Sequence, residues 1–104
     1  LPKYQIFNKP ARQLEKLTEG DEEKMLLIMH SALNKLNGKP LFKHHAATFY
    51  RQFPHYKVLQ NEINWFLDFS SRYFFDSHVQ LEKGASQKIQ ALSKHCLDVE
   101  RGIK

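Results

Sequence analysis

The sequence predicts an all-α fold: a compact bundle of four to five helices with a long, aromatic-rich central helix. Three observations carry this. Apolar residues recur at three- and four-residue steps in several segments, the spacing of a helix face. β-Branched residues are few, which disfavours strands. Gly and Pro number only four each and fall mostly between the periodic segments, so disorder is not expected. The 104 residues suffice for one core and not two. The expected organisation is an N-terminal arm over 1–9 and a single helical domain over 10–104. The chain opens with Leu1 rather than Met, which suggests a piece of a larger protein or a processed product.

Residues 1–9 lack helical periodicity, and Pro2, Tyr4, Ile6 and Phe7 predict an extended arm docked on the body. A first helix is expected over 10–18. Asn8 is its candidate cap, Pro10 is tolerated in the first turn, and Ala11, Leu14 and Leu17 share one face. Gly20 ends that pattern. The second helix, 21–37, is capped by Asp21, and Glu22 and Glu23 complement its dipole. Met25, Met29, Ala32, Leu33 and Leu36 form its core stripe. Gly38 and Pro40 stop it, and 38–43 is a loop.

A third helix is expected over 43–53, with Ala46, Phe49, Tyr50 and Phe53 inward. Pro54 lacks a donor and crowds the preceding turn, so it should end or kink this helix. The fourth helix, 55–76, carries one stripe of Leu59, Ile63, Phe66, Leu67, Tyr73 and Phe74. Trp65, Phe69 and Phe75 fall on its other sides. A helix apolar nearly all round is either central or has a second face for a partner. Ser77 with Gln80 resembles a capping box. The last helix, 85–101, places Ala85, Ile89, Leu92, Cys96, Val99 and Ile103 at helix-seam spacing, and Gly102 closes it.

Charge is the most informative feature for function. The chain carries a net charge of +5, yet no acidic residue lies between Glu23 and Glu62. That stretch holds Lys24, Lys35, Lys39, Lys43, Arg51 and Lys57, with His30, His44, His45 and His55 and several aromatics. Such a segment attracts an anionic partner. The expected contacts are Lys35, Lys39, Lys43, His44, Arg51 and Lys57. Nucleic acid is the first partner and an acidic protein surface the second. An exposed Tyr50 or Tyr56 would stack on an unpaired base. Phe49 and Phe53 are expected in the core. A second reading is a protein-interaction or homodimerisation module using Trp65 and Phe69, because aromatics dominate interface hot spots. If these are buried instead, Trp65→Ala would cost ~3–5 kcal/mol.

Catalysis has little support. No Ser-His-Asp arrangement or glycine-rich phosphate loop is visible, and carboxylates are scattered, so no catalytic residue is assigned. Six histidines invite a metal, but no His-x-x-x-His or Cys-x-x-Cys pair exists. His44 and His45 are adjacent, so their side chains should diverge. Neither metal nor cofactor is expected. Cys96, on the seam of the last helix, reads as a small buried hydrophobe rather than a nucleophile. A lone cysteine and the absence of a membrane-length apolar run favour an intracellular protein, cytoplasmic or nuclear.

One local pattern points elsewhere. Arg72-Tyr-Phe-Phe-Asp-Ser-His78 resembles the active-site pattern of the HEPN nucleases, all-helical domains that cut RNA as dimers. The resemblance rests on Arg72 and His78. It implies His78 as acid or base and Arg72 as the phosphate holder. The polar residue that often follows the family's arginine is Tyr73 here. The plain alternative is that Arg72 pairs with Asp68 or Asp76, four residues away on the same helix.

Overall fold

Five α-helices and two 3₁₀ turns, with no strand, are the regular elements of the described residues, 5–76 and 82–103, of this computed structural model. Helix α1 is Asn8–Glu15 and α2 is Glu22–Asn37. A 3₁₀ turn, Lys43–His45, leads into α3, Ala46–Gln52. A second 3₁₀ turn, Pro54–Leu59, leads into α4, Gln60–Phe75, and α5 is Ala85–Glu100. The all-α class holds. Helix α5 packs on α1, α2, α4 and the second 3₁₀ turn, while α4 packs on α5 and both 3₁₀ turns, so the central position is shared.

Helix α1 starts earlier than its periodicity predicts. Phe7 occupies the cap position and Asn8 is already helical. The missing cap comes from the far end of the chain. The Glu100 carboxylate accepts the Ile6 N–H at 3.2 Å and the Phe7 N–H at 3.1 Å. At the other end, Gln90 Nε2 donates to the carbonyls of Leu14 at 2.9 Å and Leu17 at 2.8 Å. An eight-residue helix is marginal alone, and α5 holds this one at both ends. The expected arm is therefore shorter than nine residues. Phe7 is fully buried, its ring 6.0 Å from that of Tyr56.

Helix α2 runs as expected and ends at Gly38, whose φ of 81° is left-handed. Asp21 sits at its start, but its carboxylate accepts the Thr18 N–H of the preceding turn. The expected loop after α2 contributes to the core. Asn34 Oδ1 accepts the Leu41 N–H at 2.8 Å, and Leu41 is fully buried.

Pro54 changes the geometry rather than simply stopping it. Phe53 adopts φ −127°, and Pro54 then opens a 3₁₀ turn that runs into α4. Residues three apart superimpose in such a turn, which brings Tyr56 and Leu59 inward together. On α4, Ile63, Phe66 and Leu67 are buried as predicted. Phe74 is exposed instead, and Phe75 is 84% exposed.

Phe69 is a correction. It is fully buried, so it is a core residue and not a contact for another protein. Trp65 is half-buried and stacks on it, with ring centroids 5.2 Å apart and planes 9° from parallel. The indole N–H donates to Glu82 at 3.3 Å, and Lys88 Nζ lies 5.0 Å over the ring. The α5 seam of Ala85, Ile89, Leu92 and Cys96 is buried as predicted, Val99 is half-buried, and Ile103 is exposed beyond the left-handed Gly102.

This packing separates the two aromatics. Phe69→Ala should lower stability by ~3–5 kcal/mol in urea unfolding. Trp65→Ala should cost less, because part of its ring already meets water. Equal losses would contradict the packing.

Candidate anion-binding face

Helix α3 divides a buried side from a cationic one. Ala46, Phe49 and Tyr50 face the core. Phe49 is held among the rings of Tyr50, Phe53 and Tyr56 at 5.4, 5.2 and 6.2 Å. Ala47, Thr48, Arg51 and Gln52 are left in solvent. Two shallow grooves run along this outer face. One, of about 390 Å³, lies between α3 and the start of α4 and is lined by Arg51, Lys57, Gln60, Asn64 and Tyr50 over two alanines. The other, of about 400 Å³, holds Lys39, Phe42, His45, Thr48 and Gln52. Arg51 Nη2 donates to Thr48 Oγ1 at 3.1 Å, which joins the two. Among the described residues, neither Lys39, Arg51 nor Lys57 makes an ion pair.

The segment's charge is uncompensated within itself. It has six Lys and Arg and no acid, whereas the rest of the chain balances ten Lys and Arg against eleven Asp and Glu. Among the described residues, one of these six cations reaches a carboxylate. Lys43 Nζ pairs with Asp68 at 3.0 Å, and Arg72 reaches the other oxygen of the same carboxylate at 3.0 Å. The hydrogen bond from Lys43 is the largest influence and holds the Asp68 carboxyl below its ordinary range; burial opposes it, and the Arg72 bond adds a smaller lowering effect. Lys43 is therefore not a free cation. It lines a third groove with His44, His30, Phe42, Phe74 and Phe75. Lys35 is exposed on the last turn of α2 and lines none of these grooves. Of the six expected contacts, the fold gathers Lys39, Arg51 and Lys57 around α3. Lys43 and His44 lie on a neighbouring groove, and Lys35 stands apart.

Tyr50 is buried, as its place on the inward side of the third helix predicts, and Tyr56 is buried too, so neither offers the stacking surface that an exposed ring would. The Tyr50 hydroxyl donates to Asn64 Oδ1 at 2.7 Å, with the Gln60 carbonyl a second acceptor at 3.3 Å. Burial pushes the Tyr50 phenol up to about 12. The segment's exposed large aromatic is Phe42, stacked on His44 with centroids 5.9 Å apart. His44 and His45 do not diverge. Their rings lie 4.1 Å apart, because the 3₁₀ turn and Phe42 gather them.

No group of three or more metal-ligating side chains forms among the described residues. Cys96 is buried, and desolvation, with the Glu62 and Glu100 carboxylates, drives its thiol pKa upward, away from the nucleophilic thiolate. Arg72 is engaged by Asp68, as the plain alternative predicts. His78 and the Ser77–Gln80 capping box lie outside the described residues. What this face offers chemically is positive charge and hydrogen-bond donors. Sequence reasoning did not single out Gln60 and Asn64 as donors beside Arg51. It also missed a concavity of about 870 Å³ between the second 3₁₀ turn and the end of α5, where Val58 is 77% exposed. Neither feature has a local sequence signal.

No protein-family model, curated protein or solved structure matches the chain. The class rests on the structure: an all-α fold with five helices among the described residues, none of them long and apolar enough to cross a membrane.

Two tests follow from the buried groups. Cys96 should react with a maleimide only on unfolding, and rapid labelling of the native protein would contradict its burial. Burial also holds protons on Cys96, Tyr50 and Tyr56 that the unfolded chain releases near about 8.5 for the thiol and about 10 for the phenols. The folded state then binds more protons than the unfolded state, so stability is complete below those values and is lost as pH rises through them. The urea midpoint should fall above about pH 8.5 and more steeply above about 10. A flat profile would count against the burial.

Proposed function

We propose that this chain is a non-catalytic helical binding domain that contacts an anionic partner, nucleic acid first, through the outer face of α3 and its flanking turns. One observation carries the reading. Lys39, Arg51 and Lys57 surround a short helix within a stretch that contains no acidic residue, and among the described residues none of the three makes an ion pair. Cations in that state release counterions when they meet phosphates, which favours sequence-independent, salt-sensitive binding. The planar fork of Arg51 suits phosphate better than a point charge does. With Tyr50 and Tyr56 buried, the contact is to the backbone of the nucleic acid rather than to stacked bases. Lys35, Lys43 and His44 are peripheral contacts, and Asp68 offsets the charge of Lys43.

A protein-docking or dimerisation reading is favoured by a different observation, the exposure of Phe74 and Phe75 at the end of α4. Such binding would tolerate salt and respond to Phe75 rather than to Phe69.

Fluorescence anisotropy with single- and double-stranded oligonucleotides tests the first reading. Three phosphate contacts predict affinity weaker by tens of fold, on the order of 40, between 50 and 200 mM salt. The triple variant Lys39→Glu, Arg51→Glu, Lys57→Glu should abolish binding while circular dichroism stays native. Affinity unchanged in that variant would reject the reading.

A further inference from the structure

The groove between α3 and the first turn of α4 has a more selective chemistry than the surrounding positive field. Its polar lining is Arg51, Lys57, Gln60, Asn64 and Tyr50, and no carboxylate lines it. The Tyr50 hydroxyl donates to Asn64 Oδ1 at 2.7 Å. That bond occupies the acceptor end of the amide and leaves the Nδ2 hydrogens as the end still to be satisfied. Arg51 is steadied by its bond to Thr48 Oγ1 at 3.1 Å, which engages Nη2 and leaves further guanidinium donors. Two full positive charges and an oriented amide donor therefore share one concavity of about 390 Å³.

From this we infer that the α3–α4 groove is a binding site for a phosphate monoester, a dianion near neutral pH. On the nucleic-acid reading above, on which this rests for its carrier, the ligand is the terminal phosphate of a strand. A bridging phosphodiester bears a single negative charge and answers only one of the two cations. A terminal monoester carries nearly two charges and three acceptor oxygens, which match Arg51, Lys57 and the Asn64 amide. The groove is also large enough for the sugar that bears the phosphate. The domain would then recognise strand ends in preference to strand interiors.

Three measurements on the full chain test this. Inorganic phosphate, titrated against chloride at constant ionic strength, should shift the Asn64 side-chain amide resonance in a saturable manner. An oligonucleotide with a 5′-phosphate should bind about tenfold tighter than its 5′-hydroxyl counterpart, the worth of one charge-assisted hydrogen bond. Asn64→Asp keeps an oxygen for the Tyr50 hydroxyl, so the fold is preserved, but it replaces the donor with a negative charge. It should erase the preference, as should Arg51→Gln.

Equal affinity for both oligonucleotides, with no phosphate-induced shift at Asn64, would overturn the groove assignment and leave the general polyanion reading intact. No oligonucleotide binding, together with a saturable phosphate shift and capture of a phosphoserine peptide, would overturn the strand-end carrier and the nucleic-acid reading while supporting the monoester site. A tenfold preference that survives both substitutions would also overturn the assignment, because the discriminating donors would lie elsewhere.

Discussion

One face of α5 carries the remaining layers. Ala85, Ser86, Ile89, Leu92, Ser93 and Cys96 are all buried, and four of these six are small. Small side chains let neighbouring backbones approach closely, and the two serines bring little polar penalty. Ser93 Oγ donates to the Gln90 carbonyl at 2.7 Å and Ser86 Oγ to Gln87 Oε1 at 3.0 Å. At the flanks of this face Gln90 and Glu100 satisfy the two ends of α1. A typical hydrogen bond contributes only ~0.5–1.5 kcal/mol net. The larger effect is avoidance: without α5, the terminal carbonyls and amides of a two-turn helix would be left seeking water, and Leu14 could not stay buried.

The long helices were legible because their signals are local. Acidic residues at the start of α2, the glycine after it and the apolar stripes of α2 and α5 lie within a few residues of what they specify. The short elements were not. Phe7 is core because Glu100, at the far end of the chain, anchors the backbone beside it. Leu41 is core because the Asn34 side chain fixes a loop. Leu41 looks like a connector residue to any periodicity argument, and Phe7, expected on an extended docked arm, gives no sign there of sitting at a helix start. On α4 the sequence offers several apolar stripes, and only the partners decide which is inside, so the choice between core and contact for Phe69 is made by the fold. Pro54 was recognised as a break, but its conversion into a 3₁₀ turn rotated Tyr56 inward and removed a stacking ring.

The candidate site was legible in outline. Absence of acid over 24–61 is visible in one dimension, and it identified the cationic residues that the fold arranges around α3. Which of them stay free could not be read the same way. Asp68 lies 25 residues beyond Lys43 and pairs with it across a helix–turn contact. The amide donors beside Arg51 come from the opening turn of α4, and the Tyr50 hydroxyl that orients one of them is a core residue. Ordinary packing thus sets the chemistry of the surface: an aromatic ring, buried for its area, presents its polar tip to the edge of a groove.

The pairing of α1 with α5 bears on biosynthesis. The Ile6 amide and the Glu100 carboxylate are 94 residues apart. Translation delivers the first helix long before its clamp, so a ribosome-tethered chain exposes the Leu14 face until the closing segment emerges. Folding must then wait on contacts of high sequence separation, which slows a helical protein relative to one built from neighbouring hairpins. A chain cut ahead of Gln90 would lose the contacts at both ends of α1 as well as the face of α5.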